Sequence, residues 1–217
     1  TLKVIFEGRR ELFKGLAIAK LPYDWKTHPV IHLDMGDIQA ADAEQLGRKL
    51  TKRLEGVAEE HGIRLADGDC MDRFRELVLA LSGHGKVVIL VDEYDKPLLG
   101  HLGQDSVREI RDLLKGFYAV IKTTENNQRF ALVTGVSKFS KVSIFSDLNN
   151  LTDLTMQADA ATLLGYTQEE LEGCFAEYLR RLSATLGQSR KKTLAELRAW
   201  YNGYRFEEGA ATVYNPV

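Results

Sequence analysis

A short apolar segment that ends in two acids constrains the fold of this chain most strongly. Val87–Val91 is apolar on both faces and rich in β-branched residues. Such a strand belongs in the middle of a parallel sheet that helices cover on both sides. Asp92 and Glu93 follow it directly, and two carboxylates beside an apolar core are costly unless a cation or a reaction needs them. Ligands of open α/β sheets bind at the carboxyl ends of strands, so both acids are candidate site residues.

Two more apolar segments, Val30–Leu33 and Phe130–Val133, predict further strands. Between the strands, apolar residues recur at helical spacing over Ala41–His61 and from Phe74 to Leu81. Strands that alternate with helices indicate an α/β fold with a parallel sheet flanked by helices. Leu151–Met156 alternates weakly and predicts one more strand.

The predicted elements change in character towards the end of the chain. The 217 residues suit one domain, or one domain and a small second, at about 150 residues per domain. We expect a core over residues 1–160 and, where the predicted strands stop, a helical, lid-like subdomain over residues 161–217. Ser106–Glu109 and Thr167–Glu170 have the capping-box pattern and predict the starts of two helices.

Composition excludes several classes of protein. With 44% hydrophobic residues the chain is not a disordered one, and a net charge of −2 provides no overall basic field for nucleic acid. No apolar run is longer than the five residues of Val87–Val91, whereas a membrane span needs about 20 residues. Cys70 and Cys174 have no Cys or His neighbour at ligand spacing, which argues against a zinc site and favours the cytoplasm.

The apolar strand followed by two acids is the Walker B pattern of P-loop NTPases. The first acid of that pattern helps to hold Mg²⁺, and the second polarises the water that attacks the γ-phosphate. We therefore predict that Asp92 is the magnesium acid and that Glu93 is the general base. An acidic turn with solvated carboxylates after a core strand stays open as the alternative.

The strand at Phe130–Val133 is also followed by polar residues. Thr134 and Ser137 are candidates for a polar sensor near the γ-phosphate, and the side chain of Lys138 could reach a phosphate. The alternative is an ordinary strand-to-helix turn with a capping serine. Gly135–Phe139 is similar to a nucleophile elbow but lacks the second glycine, so a serine hydrolase is not predicted.

The phosphate-binding loop of a P-loop NTPase is missing from these residues. That loop has the pattern G-x-x-x-x-G-K-[ST] between a strand and a helix. The only Gly-Lys pair, Gly85-Lys86, precedes a strand and cannot cradle phosphates. We therefore expect the loop to lie upstream of Thr1, with residues 1–6 as the tail of its helix. The chain is then a fragment with little or no affinity for ATP and no activity of its own.

Several ordered blocks of this sequence resemble the bacterial AAA-ATPase-like family. Its members usually join an N-terminal P-loop domain to a C-terminal PD-(D/E)XK nuclease-like domain. The blocks extend over nearly the whole chain, which makes the resemblance specific. They are Phe6–Leu16, Pro29–Asp34, Val91–Leu98, Leu114–Tyr118, Thr134–Lys141, Leu148–Asp153 and Trp200–Tyr204.

The resemblance implies a P-loop fold that uses ATP and Mg²⁺, with Asp92 and Glu93 as the Walker B acids. Asp34 and Asp95 also match family positions. The implied function is an ATP-binding, Mg²⁺-dependent ATP-hydrolysing regulatory domain. A non-catalytic nucleotide switch, or a protein-interaction scaffold that serves the nuclease-like domain, stays open as the alternative. A nucleic-acid partner of that missing domain and a homo-oligomer also stay open.

Overall fold

The chain consists of two compact units, and each is described by itself. The computed structural model describes residues 1–136, 144 and 148–215. The first unit is Thr1–Asn150 and the second is Leu151–Val217. The assignment of residues 1–160 to a P-loop core and of residues 161–217 to a lid stays a prediction.

The first unit alternates strands with helices, as the sequence pattern predicts. The predicted strands near residues 30 and 130 and the two predicted helices between residues 41 and 82 are all present. Three short 3₁₀ turns, Arg10–Phe13, Ala17–Lys20 and Glu125–Asn127, lie in the connections. The helices and strands are α1 (Leu2–Phe6), β1 (Val30–Asp34), α2 (Ala43–Glu60), α3 (Cys70–Ser82), β2 (Val87–Asp92), α4 (Lys96–Leu99), α5 (Val107–Thr123) and β3 (Gln128–Val133).

The described strands of this unit form one parallel sheet in the order β1-β2-β3. The predicted central position of the Val87–Val91 segment is confirmed, because β2 pairs with a strand on each side. All five of its apolar residues are between 0% and 7% exposed. Val30 pairs with Val88 and Asp34 with Asp92 in this register. The α/β class with a parallel sheet flanked by helices is therefore confirmed.

Helices cover the two faces of the sheet unequally. On one face, Phe6 of α1 joins Val88 and Leu90 in a buried cluster. On the other face, Ile31 and Ile89 are completely buried, and α2 and α3 lie against β1 and β2. Alternating strand residues point to opposite faces, so each strand contributes to both layers of the core.

One of the two predicted capping boxes is wrong and the other is confirmed. Ser106 precedes α5 with φ −65° and ψ −16°, a helical conformation in which its hydroxyl does not cap the helix. The hydroxyl instead lies 2.9 Å from Nδ1 of His101, whose Nε2 lies 2.7 Å from the Ala40 carbonyl. Thr167 has φ −70° and ψ 164°, the extended conformation of a true cap, and shares reciprocal hydrogen bonds with Glu170.

The second unit contains helices, as the sequence pattern predicts, and also a small antiparallel sheet that the sequence analysis does not predict. Val213 and Tyr214 are only 1% and 3% exposed, and these buried residues form the second strand of a small antiparallel sheet. The predicted strand at Leu151–Met156 is absent from the described structure, and its residues Leu154 and Met156 are exposed. A 3₁₀ turn lies at Ala158–Ala160. The remaining elements are α6 (Gln168–Cys174), α7 (Ala176–Thr185), α8 (Arg190–Tyr201), β4 (Asn202–Tyr204) and β5 (Val213–Tyr214).

None of the helices found in the described ranges combines the length and the apolar character that crossing a membrane requires.

The two cysteines should differ sharply in reactivity. Burial and the neighbouring Asp69 carboxylate raise the pKa of the Cys70 thiol to about 11, whereas Cys174 is exposed. Because the thiolate is the reacting species, we expect a maleimide at about pH 8 to modify Cys174 and to spare Cys70 until the protein unfolds. Mass spectrometry of a Cys174→Ser variant measures this difference. Equal labelling of that variant in native and denatured protein would contradict the buried position of Cys70.

Candidate functional site

Three polar side chains form a row at the carboxyl edge of the parallel sheet. Asp34 at the end of β1 is the register partner of Asp92 at the end of β2. Thr134 follows Val133, which pairs with Val91, so Thr134 is aligned with Asp92. Aligned residues of neighbouring strands point to the same face. The structure therefore brings together two side chains that the sequence analysis selects separately, Asp92 and Thr134.

Two donors fix the carboxylate of Asp92. The Thr134 hydroxyl donates to Oδ1 over 2.5 Å, and the backbone N–H of Glu93 donates to the same oxygen over 3.0 Å. Asp92 and Thr134 are both exposed to solvent. Both donors use Oδ1 and no residue of the described ranges donates to Oδ2, so in this part of the structure the second oxygen can bind a cation.

Glu93 follows in a strained conformation. Its φ is +49°, in the left-handed region that a non-glycine residue adopts at a cost of about 1–3 kcal/mol. Its side chain runs beside Gly36, where a Cβ would lie 3.2 Å from Cδ of Glu93 and 3.1 Å from Oδ1 of Asp34. Gly36 also donates its N–H to that Asp34 oxygen over 2.8 Å. The glycine therefore leaves room for two carboxylates at this edge.

Negative charge predominates around these groups. Lys96 lies 3.6 Å from Oε2 of Glu93, and both side chains are partly exposed. That oxygen is shielded from water and has no hydrogen-bond partner among the described residues. Asp34 and Asp92 end the neighbouring strands, so three carboxylates and one ammonium group lie at this edge, and the excess of negative charge favours a cation.

The described residues do not by themselves form a complete metal site. No group of three or more His, Cys, Asp or Glu side chains in the described part of the chain could hold a metal ion. Mg²⁺ usually keeps several waters and is held by one or two carboxylates together with substrate phosphates. Asp92 therefore fits Mg²⁺ that arrives with a phosphate ligand better than a metal held by protein alone.

A groove of about 600 Å³ borders the row on the side of β1. Both strand and helix residues line it, and its charged side chains are of both signs, with three basic residues contributed by α2. Arg53 of this helix pairs with Asp37 in the loop after β1. The strand residues of the groove include His32 and Asp34, the basic residues are Lys3, Lys49, Lys52 and Arg53, and the acidic residues are Asp34, Asp37 and Glu60.

The other half of the Asp92–Asp95 segment is buried. Asp95 has no exposed surface and accepts a hydrogen bond from the Val136 N–H over 3.3 Å. Tyr118 of α5 donates its hydroxyl to the Tyr94 carbonyl over 2.9 Å. Burial, the Asp95 carboxylate and Tyr94 raise the pKa of Tyr118 above its usual value, so the phenol stays protonated as a donor. The segment therefore contributes outward-facing acids and an inward-facing anchor.

The remaining predicted site residues, Ser137 and Lys138, lie outside the described residues. The sequence analysis does not identify Gly36 or Lys96. A glycine two residues after the acid that ends β1 was the only signal for Gly36. Lys96 stands three residues after Glu93, the spacing of neighbours on one helical turn.

A parallel sheet whose central strand ends at Asp92, with Glu93 directly after it, is consistent with a P-loop-like α/β fold. The sequence model of a family described as "Predicted AAA-ATPase" matches residues 1–145, which is more than half of the chain. The chain belongs to this family. Membership supports an ATPase-like function and nucleotide binding.

A curated protein of Azotobacter chroococcum mcd 1, described as "Uncharacterized protein in vnfD 5'region", is 40% identical to this chain over 220 aligned residues. The match includes 100% of this chain but only 40% of the relative, so the chain spans less than half of that protein's length. No solved structure matches the chain.

A side chain at position 135 should destabilise the protein, because the buried half of the segment packs directly against Gly135. A Cβ there would lie 2.5 Å from Cδ1 of Tyr94 and 2.7 Å from Oδ1 of Asp95. We expect Gly135→Ala to lower the free energy of unfolding by about 1–3 kcal/mol, measured by urea denaturation. Gly100→Ala is the matched control, since nothing lies within 4 Å of a Cβ at that position. Equal unfolding midpoints for the two variants would contradict this packing.

Proposed function

We propose that this chain forms the catalytic edge of a Mg²⁺-dependent ATPase domain with a regulatory role in a multidomain protein. The observation that carries the proposal is the hydrogen bond from Thr134 to Asp92, with Glu93 next to it at the end of the central strand. Family membership supports the choice of nucleotide as the substrate class. In open α/β sheets this edge is where ligands bind.

Asp92 is the residue that would hold Mg²⁺, through water or directly, in this proposal. Its Oδ1 already accepts hydrogen bonds from Thr134 and from the Glu93 backbone, so the carboxylate has a fixed orientation. When bound there, Mg²⁺ neutralises the charge of the phosphates and helps to orient them. Thr134 supports this role by keeping Asp92 in place.

Glu93 is the proposed general base. Its carboxylate orients a water and accepts a proton from it as the water oxygen bonds to the γ-phosphorus. The bond from phosphorus to the β–γ bridging oxygen breaks in the same process, which yields ADP and phosphate. The Lys96 ammonium and the space beside Gly36 define where this carboxylate can lie. A general base contributes about 10²–10⁴-fold to a rate.

Phosphate binding in this class needs a loop with the pattern G-x-x-x-x-G-K-[ST], which these 217 residues do not contain. Experiments on turnover therefore use the full-length protein. In that protein a non-catalytic nucleotide switch is the competing function, since a switch also needs an acid that holds Mg²⁺ but needs no base.

Glu93→Gln should separate binding from hydrolysis. The amide keeps the shape of the side chain but cannot accept the proton, so we expect ATP turnover to fall by about 10²-fold or more with little change in ATP affinity. Steady-state phosphate release and calorimetric titration with ATP measure the two quantities. Glu109→Gln, an exposed acid on α5, is the matched control. Unchanged turnover would exclude Glu93 as the base, and a wild-type protein that binds ATP without hydrolysing it would favour the switch.

Asp92→Ala should instead weaken the contribution of the metal. Without this carboxylate, we expect the Mg²⁺ concentration for half-maximal ATP binding to rise by about tenfold, because each charge-assisted contact is worth about 1.5–3 kcal/mol. The measurement is ATP binding at increasing Mg²⁺. Asp105→Ala, at an exposed acid of the α4–α5 loop, should leave the Mg²⁺ requirement unchanged. An Asp92→Ala variant with the wild-type requirement would place the metal elsewhere.

A further inference from the structure

Asp95 is a buried carboxylate to which the proposed reaction gives no direct role. It has no exposed surface, although Asp92, three residues earlier, is exposed. Burying a carboxylate is costly unless neighbouring donors satisfy it. Its surroundings therefore indicate what the residue does.

The Asp95 carboxylate lies against the backbone that continues β3. Oδ1 accepts the Val136 N–H over 3.3 Å, and the same oxygen would lie 2.7 Å from a Cβ on Gly135. Gly135 and Val136 directly follow Thr134, the residue whose hydroxyl holds Asp92. Asp95 therefore contacts Gly135 and Val136, the two residues that directly follow Thr134.

Backbone hydrogen bonds connect the same two segments. The Thr134 N–H donates to the Val91 carbonyl over 2.9 Å, and the Tyr94 N–H donates to the Thr134 carbonyl over 2.9 Å. Together with Asp95, these bonds continue the pairing of β2 with β3 beyond the last strand residues. The position of Thr134 thus depends on contacts on both sides of it along the chain.

A residue of α5 also holds the segment that contains Asp95. Tyr118, which is fully buried in α5, donates to the Tyr94 carbonyl over 2.9 Å. The ring of Tyr118 lies edge-on to the ring of Tyr94, with 6.4 Å between the centroids. The segment that carries Asp95 is therefore held against the core by these contacts with α5.

We infer that Asp95 is a positioning residue: its buried carboxylate fixes the Thr134–Val136 backbone so that the Thr134 hydroxyl stays on Asp92. Asp95 touches neither the metal nor the nucleotide, and it acts on the metal acid only through Thr134. This inference rests on the proposed function, because it supposes that Asp92 binds Mg²⁺ and that the contact of Asp95 with the Thr134–Val136 backbone affects this binding.

A double-mutant cycle tests whether Asp95 acts through Thr134. The variants are Asp95→Asn, Thr134→Val and the pair, made in the full-length protein and checked for native circular dichroism. The probe is Mn²⁺, whose binding in the presence of a non-hydrolysable ATP analogue is followed by electron paramagnetic resonance. This readout gives a dissociation constant that does not depend on turnover.

We expect Asp95→Asn to weaken Mn²⁺ binding about three- to tenfold when Thr134 is present, because an amide oxygen accepts the Val136 N–H less strongly than a carboxylate. In the Thr134→Val background the same change should weaken binding less than about twofold. An equal factor in both backgrounds, or no change in either, would overturn the inference and leave Asp95 a purely structural residue.

A second perturbation covers the case in which Asp95→Asn does not fold. Gly135→Ala places a methyl group 2.7 Å from the same Asp95 oxygen and so displaces the carboxylate, and its effect on Mn²⁺ should likewise diminish in the Thr134→Val background. Asp92→Ala separates a failure of the proposed function from a failure of the inference about Asp95. If Asp92→Ala does not weaken Mn²⁺ binding, the proposed function is wrong. If it does and the cycle is additive, only the role of Asp95 is wrong.

Discussion

The hydrogen bond between Thr134 and Asp92 is the interaction on which the candidate site depends. It joins the ends of two neighbouring strands, and it forms because the parallel register of β2 and β3 aligns these residues on one face. A shift of this register by one residue would place Thr134 and Asp92 on opposite faces of the sheet and would break the bond. The packing of the core and the geometry of the site are therefore consequences of the same strand pairing.

Around this bond, the Asp92–Asp95 segment divides its acids between two environments. Asp92 and Glu93 lie at the accessible edge, whereas Asp95 is buried against the continuation of β3. The left-handed backbone of Glu93 lies between the exposed and the buried acids. Packing of the buried residues Tyr94 and Asp95 keeps this strained backbone conformation in place. A loop built in this way can hold like charges close together before any cation is present.

Much of the first unit follows from patterns that are local in sequence. The wholly apolar β2 predicts a central strand, and the regular spacing of Leu46, Leu50 and Leu54 predicts α2, because burial follows the period of each element. Asp92 and Glu93 can be identified from the sequence because they directly follow this apolar segment. Their contact with Thr134 follows once the strands are known to be parallel neighbours.

Other features depend on partners that are distant in sequence. Gly36 matters only because the Glu93 carboxylate lies beside it, and no local pattern records that approach. The capping box predicted at Ser106 is wrong because His101 competes for the hydroxyl. The strand pairing of the second unit joins Asn202 to Tyr214, and neither short segment has the alternation of a longer strand. At such positions, contacts with residues distant in sequence determine the conformation, and local residue preferences do not predict it.

The most direct test of the account is the position of the metal in a crystal structure of the full-length protein with Mg²⁺ and a non-hydrolysable ATP analogue. We predict Mg²⁺ next to the Asp92 carboxylate, directly or through one water, with Glu93 facing the γ-phosphate. A nucleotide and metal bound at another edge, with Asp92 and Glu93 both in contact with solvent alone, would contradict it.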